Sequence, residues 1–357
     1  MDERVMKKCV GQPVPEWDLA HRLPINRVVG PDMWDSGTIF RFNSTFMDVT
    51  DQSFLEKQWM MGATLIATVA ALCWLVFFFI VLRDPDAPSF LRIFLLALAV
   101  GFGYLVFRAA KSNMFALTRN PIRFHRKARK LFAVRGRRYF ARKGQGDHVW
   151  EIPWNEDELF CLHKEKTQFG TVFHIRHYAV DAAGKVTRVF SLGREWTGKP
   201  EIEILLAQWN YWCAFMNEGP HGLPKPMLFH TEHETPRESF LYSLYGFGLT
   251  GSLLWRLVTM PLVLIFTPLR MLAIATSRAP IWPEAIEEIS QLDPNDAYAE
   301  PRKGTPVGWA ETVLAQQRKE YPDAPQRKTD GWSGIKDGVE NANQWALDQP
   351  PKNLAGG

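Results

Sequence analysis

The chain has 357 residues, 46% of them hydrophobic, with 42 Lys or Arg against 38 Asp or Glu and a net charge of +4. That length allows about two domains, and so even a charge balance argues against a protein whose whole surface binds nucleic acid. The four cysteines form no C-x-x-C pair, which points away from a disulfide framework and from a cysteine-built zinc site.

In chain order, residues 1–58 are polar and mixed in charge, without a secretory leader pattern, and are expected as an N-terminal cytoplasmic segment. Residues 59–82, WMMGATLIATVAALCWLVFFFIVL, are twenty-four consecutive positions without a charge. As a helix this run would extend roughly 36 Å, enough to cross a hydrocarbon core of about 30 Å with some tilt. A second run, FLRIFLLALAVGFGYLVF at 90–107, contains Arg92 near its start, where a long side chain can snorkel to the interface. Gly101 and Gly103 in that run would let a neighbouring helix approach closely. The link RDPDAPS is a short polar turn, so residues 59–107 read as a transmembrane helical hairpin.

Behind the second run, Arg108 to Lys143 holds thirteen basic residues and no acidic one. Positive charge flanking a span marks its cytoplasmic end, so the N-terminus and the following domain are expected in the cytoplasm. Orientation does not account for all of the band, because its later half lies too far from the span to count.

Residues 108–238 switch to short segments rich in β-formers: IRF, KLFAV, RRYFA, HVWEIPW, ELFCLHK, TVFHIRHYAV and KVTRVFSLG. They are separated by turn residues, of which DAAGK is the clearest, and predict an antiparallel sheet built from hairpins. A helix is expected over 200–218, with Pro200 just inside its start and Gly219-Pro220 closing it. Ile202, Leu205, Leu206, Trp209, Cys213 and Met216 recur at helical spacing as a core-facing seam.

This order of strands and one closing helix resembles a pleckstrin-homology-like domain. The resemblance implies that the basic loop between the first strands, carrying Arg126, Lys127, Arg129 and Lys130, faces anionic lipid or a partner, with Arg135, Arg137 and Arg138 beside it. Each basic side chain near an anionic leaflet contributes about 1 kcal/mol. The wider arrangement is more specific: hairpin, NPIRFHRKARKLFAV, VWEIPWNEDELF, WNYWCAFMNEGP, IWPEAIEEI and DPNDAY. It resembles an uncharacterised family of bacterial inner-membrane proteins associated with type VI secretion effector loci. That resemblance implies a protein partner, either a toxin or a secretion component, and an immunity or effector-associated role. It supplies no catalytic residues.

Residues 239–277 form a third apolar region, too long for one straight span at roughly 57 Å. Pro261 and Pro268 should break it, giving either a re-entrant pair of helices or one tilted span. Arg256 within it is the candidate intramembrane polar residue. Gly248 and Ser252, four apart, would suit close packing on the hairpin. Residues 278–357 are expected as a polar, partly flexible tail apart from one helix within 309–321.

Motifs for chemistry are sparse. The sequence has no G-x-S-x-G, no phosphate-binding G-x-x-x-x-G-K-[ST] and no H-E-x-x-H. His174 and His177 are three apart on a strand and should point to opposite faces. His230 and His233, with Glu232 or Glu234, offer a cation loop without a third strong ligand. Trp150, Trp154, Trp196, Trp209 and Trp212 read as packing residues, with no single-strand-binding motif around them. The expectation is therefore an α+β membrane protein with no enzyme activity, cofactor, metal or nucleic acid, acting by binding a protein. An alternative is an anionic-lipid-binding, membrane-organising module.

Overall fold

The computed structural model describes residues 8–30, 32–136, 147–167, 170–197, 200–224, 226–246, 252–299, 305–318 and 327–328. In chain order the elements begin with α1 (Glu16–Ala20), β1 (Asp32–Met33), β2 (Ile39–Phe42), β3 (Phe46–Val49), α2 (Gln52–Leu55), α3 (Lys57–Arg83) and α4 (Ser89–Met114). Strands β4 (Ile122–His125), β5 (Lys130–Arg135), β6 (His148–Pro153), β7 (Leu159–Thr167), β8 (Gly170–Val180) and β9 (Val186–Thr197) come next. The chain continues with α5 (Pro200–Glu218), α6 (Pro236–Gly246), α7 (Leu253–Thr276), α8 (Glu284–Ile289), α9 (Gly308–Gln317) and β10 (Arg327–Lys328). It divides into two compact units: described residues within 1–53, 120–232 and 281–357 form the first, and those within 54–119 and 233–280 the second.

The first unit is a mixed α+β domain. Its main sheet is antiparallel in the order β2-β3-β4-β5-β6, and a three-stranded antiparallel sheet, β7-β8-β9, follows it in sequence. The other strands expected from 122 to 193 form, and RRYFA lies outside the described residues. In the DAAGK turn, Asp181 Oδ1 accepts from Ala183 N and Lys185 N, and Gly184 takes φ +73°.

The sheet domain does not start at 108, as the sequence reading has it, and residues 282–289 are part of it, not of a separate tail. Strands β2 and β3 come from the segment read as a separate N-terminal piece, and β3 pairs directly with β4, from Phe46 opposite His125 to Val49 opposite Ile122. The membrane-length hairpin is thus inserted between two neighbouring strands. FRFNSTFMDV hides this because each strand is only four residues long and carries internal polar residues.

Those polar residues are buried and paired. Met47, Val49, Ile122 and Phe124 point into the main core, so their neighbours Asp48 and Arg123 share the opposite face. There Arg123 Nε and Nη2 donate to Asp48 Oδ1 and Oδ2 at 2.7 and 2.8 Å. The guanidinium lies 4.1 Å from the Phe46 ring and 4.4 Å from the Trp282 ring, and Nη1 reaches Glu287 at 3.3 Å. His125 bonds the Ile289 carbonyl oxygen at 2.9 Å. Residues 282–289 therefore belong to this unit as the cover of the sheet's second face.

Helix α5 is buried well beyond its predicted seam. Besides the six seam residues, Gln208, Asn210, Tyr211, Trp212 and Phe215 are inaccessible. The N-terminal segment wraps the far side of the helix: Asn210 accepts from Val29 N and donates to the carbonyls of Val29 and Asp32. Trp209 Nε1 donates to Pro24 O, and Asn217 Nδ2 to Ile25 O.

In the second unit, α3, α4 and α7 are each long and apolar enough to cross a membrane. Their outer surfaces expose large apolar side chains such as Ile66, Phe90 and Leu254. Arg92 Nη2 donates to the Asp84 carbonyl in the turn at 2.6 Å. Gly101 and Gly103 meet no neighbour within 4 Å, contrary to expectation. The close approach is instead at Gly62, where a Cβ would lie 2.9 Å from the Phe266 ring. The third apolar region breaks before residue 253, not at its prolines: α7 runs through Pro261 and Pro268 for 24 residues. Prolines are tolerated in such helices when neighbouring groups satisfy the freed backbone. Ser252 caps its start by accepting from Trp255 N, while Gly248 lies outside the described residues.

Removing one partner of a buried ion pair leaves an uncompensated charge and costs about 3–5 kcal/mol. Arg123→Ala should therefore lower the unfolding free energy of the detergent-solubilised full chain by that amount. Lys127→Ala, four residues away and exposed, should change it by about 0.5 kcal/mol or less.

Candidate functional site

The predicted basic loop is the β4–β5 turn, and the structure gives most of its cations internal work. Arg129 sits at φ +52°, a left-handed conformation unusual for a side chain of its size. From there Nη1 donates to the Met216 carbonyl at 2.7 Å and to Asn217 Oδ1 at 3.0 Å, at the C-terminus of α5. A cation there complements the negative end of the helix dipole. Arg126 Nε donates to Ser44 O at 3.0 Å, and its guanidinium passes 3.2 Å from where a Cβ on Gly219 would stand. Gly219 also has φ +85°, a left-handed backbone that favours glycine there.

Lys130 pairs with Glu151 across β5 and β6. Arg135 stacks on Phe190 at 4.3 Å and donates to Ser191 O at 3.2 Å. Lys127 is exposed, and Arg137 and Arg138 lie outside the described residues. The loop is thus a staple between the sheet and α5, with Arg126, Arg129 and Lys130 bonded to backbone or carboxylate partners although Lys127 and Arg129 stay exposed.

The third apolar helix carries two arginines in different settings. Arg256 is exposed on α7, whereas Arg270 is fully buried. Arg270 Nε and Nη2 grip Glu234 at 2.6 and 2.7 Å, and Nη1 donates to Gln58 Oε1 at 2.9 Å and to Phe54 O at 3.2 Å. The Tyr242 ring lies 3.7 Å from the guanidinium. Thr259, Val263, Thr267, Arg270 and Ala273 form the buried face of α7. This arrangement joins α6, α7 and the start of α3, and it satisfies the charge completely enough to read as structural.

The same geometry dismantles the HTEHE loop. Glu234 is committed to Arg270, and His230 Nε2 bonds the Gly37 carbonyl oxygen at 2.8 Å. His174 and His177 do point to opposite faces: His174 lies against Arg176, and His177 against Glu158.

Asp35, in the WDSGT turn, was not a sequence candidate because such turns are usually solvated. It is fully buried, with Met227 N donating to Oδ2 at 3.2 Å and Oδ1 without a hydrogen-bond partner among the described residues. Burial pushes its carboxyl up from 3.8 to about 7. A shallow cleft of about 340 Å³ opens on the same unit between residues 22–27 and the 156–158 turn, with Arg22, Arg27, Glu156 and Glu158 in its walls.

These features define a class: an α+β sheet domain whose strand order is interrupted by helices long enough to cross a membrane. The chain belongs to a family of unknown function (DUF6708), whose model matches residues 99–294. No curated protein and no solved structure matches the chain.

Arg270→Ala should destabilise the detergent-solubilised chain by about 3–5 kcal/mol, while Arg256→Ala changes melting little. Asp35 gives a pH signature. Its native carboxyl holds a proton that the unfolded chain has released, so stability should fall as pH rises from 3.8 to about 7 and stay at the lower level above. The full loss is on the order of 4 kcal/mol. Asp35→Asn should remove that slope in melting curves recorded across the window.

Proposed function

We propose that this chain is a membrane-anchored, non-enzymatic protein-binding protein of the bacterial inner membrane, with its sheet domain in the cytoplasm. Its binding target is a toxin or secretion component that it occludes, in keeping with the family resemblance read from the sequence. The observation that carries the anchoring is the insertion of α3 and α4 between the paired strands β3 and β4. A domain built this way cannot fold its sheet without bringing the two helix ends back to one place.

The same logic supports a tail on the sheet's side. Residues 282–289 pack on β3 and β4, and Asp296 Oδ2 accepts from Ser44 N and Oγ at 2.7 and 2.6 Å. A compact unit occupies one compartment, so on this reading the segment through α6 and α7 begins and ends on one side, with α7 entering the membrane without crossing it. Arg108 and Lys111 at the end of α4 favour the cytoplasm for that side. The cleft between residues 22–27 and 156–158, with charges of both signs in its walls, suits a polar protein edge. The lipid-reading alternative has less support, because Arg126 and Arg129 are engaged with backbone carbonyls.

Full-length chain purified in detergent should recover one dominant protein partner, and charge reversal by Arg27→Glu should weaken that complex at least tenfold, on the order of 1.4 kcal/mol. In a cysteine-free background, a thiol introduced by Ala182→Cys should resist an impermeant reagent in intact cells, while one introduced by Asp86→Cys reacts. Labelling of the Ala182→Cys variant from outside would overturn the orientation, and failure to recover any partner would overturn the binding role.

A further inference from the structure

The outer face of the three-stranded sheet carries a polar cluster that the proposed function leaves unused. Residues directly opposite on β7 and β8 share a face, and His163 stands opposite His174 with ring centroids 4.9 Å apart. Glu165 follows two positions along β7 on the same face. One donor atom each from His163, Glu165 and His174 lies within 4.8 Å of the others.

The two imidazoles are held differently. His163 Nδ1 is 2.7 Å from Asp18 Oδ2, and Asp18 is also bonded by the Tyr178 hydroxyl at 2.5 Å. A carboxylate on one ring nitrogen fixes the tautomer and leaves the other nitrogen's lone pair free, which is how metal-binding histidines are oriented. His174 is fully buried, and burial, together with Arg176 and His163, keeps its pKa well below the usual range. Arg176 Nε donates to His174 Nε2 at 2.7 Å, so the neutral ring presents its lone pair at Nε2. Arg176 Nη2 lies 3.6 Å from Glu165 Oε2. One guanidinium thus bridges two of the three donors.

We propose that His163, His174 and Glu165 are a binding site for a divalent cation of the zinc class, and that Arg176 is the resident cation it displaces. Two imidazoles and a carboxylate are a donor set suited to zinc, and the partly exposed Glu165 rim leaves a fourth position for water. Donors around tetrahedral zinc stand about 3.4 Å apart, given bonds of about 2.0–2.2 Å. Donor separations of up to 4.8 Å must therefore contract by up to about 1.4 Å, and withdrawal of Arg176 from between His174 and Glu165 permits it. Through Asp18 the ion would tie α1 to β7 and β8.

The test uses the full-length chain in detergent, stripped with a chelator and titrated with zinc against a chromophoric competitor. One zinc per chain is expected. His163→Asn, His174→Asn and Glu165→Gln should weaken it at least about tenfold, and Asp18→Asn by about tenfold with stoichiometry kept. Arg176→Gln, which removes the competitor, should bind at least about tenfold more tightly than wild type. If a histidine variant melts abnormally, Glu165→Gln at the rim and Arg176→Gln decide the matter. No stoichiometric binding in wild type and Arg176→Gln, or unchanged affinity in Glu165→Gln, sinks the site. An Arg176→Gln affinity no better than wild type sinks the displacement.

Discussion

The bidentate contact between Asp48 and Arg123 is the constraint on which the rest of the architecture depends. These two residues face each other on strands that are neighbours in the sheet but lie on either side of two membrane-length helices. Closing so long a loop costs entropy that grows only slowly with length, and a fully satisfied buried ion pair fixes the register where the ends meet. A one-residue slip of β3 would send Asp48 into the apolar core, away from Arg123, and bring Met47 and Val49 out.

Arg123 has the further task of holding the segment after α7. Sandwiched between Phe46 and Trp282 and touching Glu287, it recruits residues 282–289 as the second face's cover. Burial opposes its charge, yet Asp48 and Glu287 together hold its pKa above the ordinary value. The chain leaves the sheet unit twice and is tied back to it both times by the same guanidinium.

Arginine plays a comparable role elsewhere. Arg270 gathers Glu234, Gln58 and the Phe54 carbonyl in the helical unit, and Arg129 closes the end of α5. A planar fork with five donors can satisfy several acceptors at once, which an ammonium group cannot. This explains why several of the positive charges between 108 and 143 are bonded inside the fold among the described residues. Part of that charge is architecture, and the cleft beside residues 22–27 is where the proposed partner would be sought.

The sequence by itself determined the membrane-length helices, the hairpin-built strands from 122 to 193 and the helix over 200–218, because those depend on apolar runs, alternation and local turn chemistry. It also determined that His174 and His177 oppose each other, since strand pleating is local. Only the tertiary structure decided that FRFNSTFMDV completes the sheet, that α5 is wrapped on both sides, that Arg270 and not Arg256 is the buried cation, and that His163 meets His174. Each of those depends on partners far apart in the chain, such as Asp48 with Arg123 or Asp18 with His163. No periodicity within a single segment encodes them, because the pairing is set by how the sheets close around a common core.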